Sequence, residues 1–291
     1  MKIVVLCPAG AVTGGPEALH QLVHIANMVE NDSAAICYLP NESPSNIPQP
    51  YLKYRTPTIR FSDIPASAVI VVPELWPYMV DNLDNPCALW WLSVDNFVCQ
   101  DASIVHKYTH HITQSQYAFE YVQKNYGILP MMVTDYTSDD YVPVSNNERR
   151  KRVAVNPAKG ADLIEEFISL NPDVEVFRVQ GLQSSQIQTE LSNSLMYIDF
   201  GHHPGKDRLP REAAKAGCIV SVRNIGAAVN NIDVPIDALY KFSTVARVRE
   251  IIDLVFGDPT VHLHAQHEYR EKVAAEKNTF LAEVSNFLAA L

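Results

Sequence analysis

The sequence lacks both a long apolar run and a regular spacing of cysteines. No stretch approaches the roughly 18 consecutive apolar residues of a membrane span, and the apolar run that follows Lys2 is too short for a signal peptide. The five cysteines are odd in number and have no metal-type spacing. Several lie within apolar runs, where a free thiol behaves as a small hydrophobic side chain. These absences predict a cytoplasmic protein, with at most peripheral contact with a membrane.

Positive charge is scarce in the first half of the chain. Residues 1–140 contain 6 Lys and Arg against 14 Asp and Glu, whereas residues 141–291 contain 17 against 19. An acidic surface repels phosphate backbones, so nucleic acid is not an expected partner. Because most basic residues lie in the second half, we expect any anionic ligand to bind there.

Strands alternate with helices along the first half. An apolar, β-branched run over residues 2–7 has the pattern of a strand buried on both faces. A turn rich in Gly and Pro joins it to a helical pattern over residues 17–30, and this order opens a βαβ unit. Further strands are predicted over residues 34–38, 68–72, 88–94 and 110–113, with a helix over 117–126.

A polar stretch over residues 135–152 predicts a linker, and a second α/β series follows it. Its predicted strands are 152–155, 174–179, 195–200 and 219–222, and its predicted helices are 161–170, 184–191 and 210–216. We therefore predict the α/β class, with two Rossmann-like domains whose parallel, doubly wound sheets face a cleft. The N-terminal, acceptor-side domain is expected over residues 1–140 and the C-terminal, donor-binding domain over residues 150–266.

One segment of the second series combines positive charge with the pattern of an anion site. After the strand over 195–200, a loop rich in Gly and Pro leads into a helix with Pro210 in its first turn. Backbone N–H groups at a helix start attract anions, and Lys206, Arg208 and Arg211 add three cations. Glu212, in the same turn, is placed to accept hydrogen bonds from ribose or sugar hydroxyls. Packing alone explains this segment poorly, so we predict that it binds an anionic ligand.

This segment resembles the donor site of retaining GT-B glycosyltransferases, which have two Rossmann-like domains and use nucleotide-sugars. Their donor helix carries Glu-Ala and then a small residue before Gly, which correspond to Glu212-Ala213 and Ala216-Gly217. The family commonly has a second Glu eight residues earlier, where this sequence has Pro204. The resemblance is sharpest over residues 195–228. The loop residues available to replace the missing Glu are His202, His203 and Asp207.

Two other places match the resemblance, and the family Arg is missing from the second. Gly14-Gly15 corresponds to a Gly-Gly pair that lies close to the reacting sugar, and Lys159-Gly160 to a Lys-Gly pair near the diphosphate. Asn156 stands nearest to the place of a family Arg, and Asp95 at the place of a residue that contacts acceptor or sugar. Taken alone, the glycines form an ordinary strand–helix turn. Lys159 is equally consistent with a solvated lysine, and Asp95 with a turn or N-cap residue.

The resemblance implies transfer of a sugar from a nucleotide diphosphate sugar, with retention of configuration, to a glycan, lipid-linked or protein acceptor. The nucleotide-sugar is a substrate, and no cofactor or metal is expected. Cationic side chains would then stabilise the leaving diphosphate. The candidate catalytic residues are Asp95, Lys159 and Glu212. The candidate donor-binding residues are Gly14, Gly15, Asn156, Lys159, His202, His203, Lys206, Arg208, Arg211 and Glu212.

Two alternative functions remain at this stage, and two others are disfavoured. A nucleotide-sugar epimerase would share the architecture, and a non-catalytic binding or scaffold protein would explain the missing Glu and Arg. A zinc site built from the histidines is disfavoured, because no carboxylate or Cys lies at typical ligand spacing. A dinucleotide dehydrogenase is disfavoured because the first loop lacks Gly-x-Gly-x-x-Gly.

The C-terminal residues 267–291 carry apolar side chains mostly three and four positions apart, which predicts one apolar stripe on a helix. The second α/β series is already complete before this segment. We therefore expect the stripe to pack back on the N-terminal domain, as the last helix of GT-B proteins does.

Overall fold

The computed structural model describes residues 1–40, 47–141, 143 and 149–291, and the chain divides into two compact units. The first unit comprises Met1–Tyr136 and Lys277–Leu291, and the second comprises Thr137–Glu276. The change from first to second unit falls within the segment predicted as a linker, part of which lies outside the described residues. Within the described ranges, no helix has the length and apolar character needed to cross a bilayer.

The first unit is built on a six-stranded sheet in which every pairing is parallel. The interior strand β1 (Ile3–Pro8) sets Ile3 beside Ala34 on one neighbour and beside Val69 on the other. The strands, in sheet order, are β2 (Ala34–Leu39), β1, β3 (Val69–Pro73), β4 (Cys87–Trp91), β5 (His110–Thr113) and β6 (Met131–Met132). The first four strands in chain order consist almost entirely of buried residues, as their sequences predicted.

The two faces of this sheet are covered differently. On one face, α1 (Gly14–Val29) and α9 (Glu276–Ala290) contribute side chains to a shared apolar core. The other face packs against α2 (Gln116–Tyr126) and several short 3-10 turns. Ser115 caps α2 by accepting from the Ala118 N–H, and Gly127, with φ +66°, ends it.

The second unit is built on a five-stranded parallel sheet. In sheet order the strands are β11 (Lys241–Phe242), β10 (Ile219–Arg223), β9 (Ser194–Asp199), β7 (Arg150–Val155) and β8 (Glu175–Arg178). The helices are α3 (Ala161–Leu170), α4 (Ser184–Asn193), α5 (Arg208–Lys215), α6 (Val245–Gly257), α7 (Pro259–Ala265) and α8 (His267–Ala274). Two parallel sheets flanked by helices confirm the predicted α/β class.

The C-terminal stripe is divided between the units. The predicted single helix is two helices, α8 and α9, and the α8 residue Val273 packs in the core of the second unit. The α9 residues Phe280 and Phe287 are fully buried in the core of the first unit. Glu283 fixes the same helix, because its carboxylate accepts from the N–H and hydroxyl of Thr134 at 2.8 and 2.7 Å.

Candidate functional site

Three loops converge at the carboxyl edge of the second sheet. They follow β7, β9 and β10, which are neighbours in the sheet, and glycines allow their backbones to touch. A Cβ on Gly160 would lie 2.6 Å from the carbonyl oxygen of Phe200, and one on Gly201 would lie 2.5 Å from the Cβ of Lys159. A Cβ on Gly226, whose φ is +63°, would overlap the carbonyl oxygen of His203. The carboxyl edge of a parallel sheet is where α/β proteins bind ligands.

A buried ionic cluster lies beneath these loops. Asp199 ends β9, and its carboxylate accepts from the N–H of Gly201 and the hydroxyl of Tyr197, both at 2.8 Å. The buried imidazole of His203 lies between two carboxylates, with Nε2 at 3.8 Å from Asp199 Oδ1 and Nδ1 at 3.3 Å from Asp207 Oδ2. Burial raises the pKa of Asp207, and the neighbouring His203 and Lys159 act against this rise.

Lys159 completes the cluster at its solvent side. Its ammonium lies 2.7 Å from Asp207 Oδ2 and 3.5 Å from the carbonyl oxygen of His202. Asn156 shapes the turn that leads to it, because its side-chain oxygen accepts from the Ala158 N–H at 3.1 Å. The structure thus brings four predicted residues together: Asn156, Lys159, His202 and His203.

Among the described residues, Asp199, His203 and Asp207 offer metal-type ligand atoms within 4.8 Å of one another. The two carboxylates, however, face different nitrogens of one imidazole ring, and Lys159 already contacts Asp207. A cation placed there would be repelled by the ammonium of Lys159. The geometry therefore favours an ion cluster over a metal centre, and the expectation of no metal stays a prediction.

Arg211 requires a correction to its predicted role. Its side chain is 1% exposed, and three of its nitrogens contact protein groups. Nη1 lies 2.9 Å from Glu276 Oε2, Nε donates to the carbonyl oxygen of Asp207 and Nη2 to that of Lys206. A guanidinium held in this way fixes the loop that precedes α5, and it is badly placed to contact a diphosphate directly.

The other predicted residues lie at the start of α5. The helix begins at Arg208, two residues earlier than predicted, so the Pro210 nitrogen still falls among those without an intrahelical partner. Lys206 Nζ lies 2.8 Å from Glu276 Oε1, and Arg208 Nε lies 3.6 Å from Glu212 Oε1. The Glu276 carboxylate therefore pairs with both Lys206 and Arg211. The sequence did not reveal this pairing, because Glu276 lies more than 60 residues further along the chain.

In the first unit, Gly14 and Gly15 form the first turn of α1, directly after β1. Tyr51 fixes this turn, because its hydroxyl contacts both the N–H and the carbonyl oxygen of Thr13 at 3.0 and 2.9 Å. Buried His20 donates through Nδ1 to the carbonyl oxygen of Pro16 at 2.7 Å, and burial lowers its pKa. The sequence pattern revealed the glycines but not the aromatic and histidine side chains that position them.

Asp95 is an exposed residue of a short 3-10 turn (Val94–Asn96) that follows β4, and Val94 of the same turn is buried. A buried carboxylate that sequence reasoning missed, Glu74, organises the start of this segment. Glu74 accepts from the N–H groups of Leu92 and Ser93 at 3.1 and 3.0 Å. Burial raises its pKa to about 7. Glu74 therefore positions the segment that carries Asp95.

Glu74 should make stability depend on pH. Because its folded pKa of about 7 exceeds the ordinary value of 4.5 for a glutamate, the folded state binds this proton more tightly than the unfolded state does. Its contribution is therefore present at low pH and lost as pH rises from about 5 to about 8. Urea unfolding of wild type and Glu74→Gln across this range should show wild type losing stability relative to the variant. A difference that does not change with pH would contradict this assignment.

Comparison with known proteins supports the same architecture. No protein-family model matches the chain. No curated protein matches it by sequence. Among solved structures, sucrose-phosphate synthase from Thermosynechococcus elongatus superposes with a TM-score of 0.71 at 10% identity, over 100% of this chain and 99% of that one. The lipopolysaccharide outer core galactosyltransferase WaaB gives 0.63 at 12% identity, over 97% and 99%. T4 phage BGT, solved with its UDP-glucose substrate, gives 0.59 at 9% identity, over 97% and 98%.

These structures are GT-B glycosyltransferases, and each match spans nearly the whole of both chains. The chain therefore has the GT-B fold, as the resemblance in its donor segment predicted. At identities of 9–12% the likeness concerns the fold.

Proposed function

We propose that this protein is a glycosyltransferase that binds a nucleoside-diphosphate sugar at the carboxyl edge of its second sheet. The observation that carries the proposal is the convergence of Lys159 and Lys206 on that edge, together with the N-terminus of α5. Cationic side chains and helix N–H groups are what a departing diphosphate requires. The match to glycosyltransferases along the full chain supports this use of the fold.

Each of the two lysines is paired with a carboxylate from which it can be released to a ligand. Lys159 contacts Asp207, and Lys206 contacts Glu276. If a diphosphate draws Lys159 away, Asp207 still lies 3.3 Å from His203, and if Lys206 moves, Glu276 keeps Arg211 at 2.9 Å. Neither carboxylate is then left buried without a partner, which would cost several kcal/mol. An incoming anion can thus exchange for a carboxylate at both lysines.

The remaining residues take roles around the sugar. Glu212 and His202 would accept or donate hydrogen bonds at the ribose or sugar hydroxyls, and Arg208 would add charge at the start of α5. The reaction proposed retains the anomeric configuration and uses no metal. In the first unit, Gly14 and Gly15 would allow close backbone approach to the donor, and Asp95 would contact the acceptor or sugar.

Lys206→Ala should weaken UDP binding by about 10- to 150-fold, the equivalent of about 1.5–3 kcal/mol for a hydrogen bond to a charged group. Titration calorimetry of UDP and UDP-glucose measures this change. Lys151→Ala is the matched control, because Lys151 lies near the opposite, amino end of β7 and contacts the carbonyl oxygen of Phe256. Equal affinity in the two variants would remove Lys206 from the donor site.

Turnover separates the proposed activity from its alternatives. Incubation with a nucleotide-sugar panel should release the nucleoside diphosphate, by transfer or slow hydrolysis, and NMR of the product should show the donor's anomeric configuration. A sugar epimer formed without an acceptor would identify an epimerase instead. Tight donor binding with neither release nor transfer would identify a non-catalytic nucleotide-sugar-binding protein.

Chelation tests the proposed independence from metal. We expect donor turnover in excess EDTA to match the untreated rate within about twofold, because side chains and the helix N-terminus supply the positive charge. Loss of turnover that a divalent ion restores would instead make Asp199, His203 and Asp207 a metal site.

A further inference from the structure

An apolar groove opens on the first unit, at the end of β2. Its volume is about 470 Å³, within the range of small-molecule sites. The lining residues are Leu39, Pro40, Phe61, Trp76, Met79 and Asn82. None of these six described residues is charged, and Asn82 supplies the single side-chain amide. The groove therefore suits an uncharged ligand.

The groove walls keep large apolar surface in contact with water. Phe61, Trp76 and Met79, which line the groove, are only half-buried. These side chains stand on or beside two 3-10 turns, Phe61–Asp63 and Pro77–Asn82.

The position of the groove links it to the predicted glycine turn. Leu39 is the last residue of β2, and Trp76 follows the end of β3 by three residues. In the sheet, β1 lies between these two strands, and Gly14 and Gly15 follow its end. Because the carboxyl ends of parallel strands share one edge, a ligand in the groove would lie on the same edge as this turn.

We propose that the groove binds the acceptor, and that the acceptor is an uncharged aromatic alcohol. This inference rests on the proposed glycosyl transfer. Trp76 offers a ring face and edge for aromatic contact, and the Met79 sulfur packs well against a ring. In the reaction, the acceptor oxygen bonds to the anomeric carbon as the bond from that carbon to the diphosphate oxygen breaks. The hydroxyl proton passes to the departing diphosphate or to solvent.

The test uses 2-naphthol as an uncharged probe and 2-naphthoate as its charged counterpart, with the full chain. Calorimetry should show saturable binding of one 2-naphthol, and binding of 2-naphthoate at least tenfold weaker. Trp76→Ala should weaken 2-naphthol binding at least tenfold. Tyr78→Ala should change it less than twofold, because Tyr78 is an aromatic residue of the same turn that does not line the groove.

A second variant tests the proposal even if Trp76→Ala does not fold. Asn82 is exposed, so Asn82→Lys should fold normally and should raise the affinity for 2-naphthoate at least fivefold. Absence of saturable 2-naphthol binding, equal binding by Trp76→Ala and Tyr78→Ala, or no effect of Asn82→Lys would each overturn the proposal. Preference for 1-octanol over 2-naphthol would also overturn the aromatic assignment.

UDP titrations of the same samples keep the two proposals apart. UDP binding without 2-naphthol binding rejects the groove and leaves the donor site. Binding of 2-naphthol without UDP binding rejects the glycosyltransferase proposal, and with it the groove's role as an acceptor site.

Discussion

Replacing Arg211 with alanine will lower the free energy of unfolding by about 3–5 kcal/mol, because it breaks a buried network of one ion pair and two further hydrogen bonds. Glu276, which is 5% exposed, loses the guanidinium at 2.9 Å and keeps only the Lys206 ammonium at 2.8 Å. It also removes the donors to the carbonyl oxygens of Lys206 and Asp207. Equilibrium urea unfolding, analysed with m held common to both proteins, measures the loss.

Arg247→Ala is the control for this prediction. Arg247 also pairs with a glutamate, Glu250, but the side chains of this pair are 37% and 63% exposed. An exposed pair contributes about 0–1 kcal/mol, so the two arginines should differ clearly. If Arg211→Ala unfolds like Arg247→Ala yet loses UDP affinity, then Arg211 binds the diphosphate directly, as the sequence suggested, and the structural assignment is wrong.

The sequence predicted the sheets because their strands are buried on both faces. Runs such as Val69–Pro73 and Ser194–Asp199 consist of residues typical of a strand buried on both faces of a sheet. The helical patterns between these strands predicted that the strands pair in parallel. The two-residue strands Met131–Met132 and Lys241–Phe242 were missed. A run that short carries no period to detect.

The sequence singled out the cationic segment before α5 as a candidate donor site, but it did not reveal the charge pairing within that segment. Lys206, Arg208 and Arg211 look equivalent along the chain, since each is a cation beside a predicted helix start. Their difference arises from distant residues: Glu276 draws Arg211 inward, while Lys206 reaches the same carboxylate from a less buried position. Contacts over such separations follow from the tertiary fold.

The glycines at the carboxyl edge of the second sheet also could not all be identified from the local sequence. Gly160 was predicted as part of a Lys-Gly pair, whereas nothing in the local pattern set Gly201 or Gly226 apart. Their need to be glycine comes from Lys159 and His203, which approach from other loops. Close approach between loops is a property of the assembled sheet edge.

Replacing Gly160 with alanine will cost about 2–5 kcal/mol of stability and will weaken UDP binding. Alanine at a φ of +69° costs about 1–2 kcal/mol in backbone strain. Its Cβ would also lie 2.6 Å from the carbonyl oxygen of Phe200, which forces a shift that costs about 1–3 kcal/mol. The shift moves Lys159 against the loop that begins at Gly201, so Lys159, which we propose binds the donor, leaves its position.

The Gly181→Ala variant separates the cost of backbone strain from the cost of steric overlap with a neighbouring loop. Gly181 has the same φ of +69°, but a Cβ there would meet nothing within 4 Å. This variant should lose only about 1–2 kcal/mol and should bind UDP with wild-type affinity. Urea unfolding and UDP calorimetry on both variants give the comparison. Equal stability losses in Gly160→Ala and Gly181→Ala would mean that Phe200 moves away from the new methyl group without a measurable cost. A stability loss in Gly160→Ala with unchanged UDP affinity would show that the contact between these two loops is not needed to hold the donor.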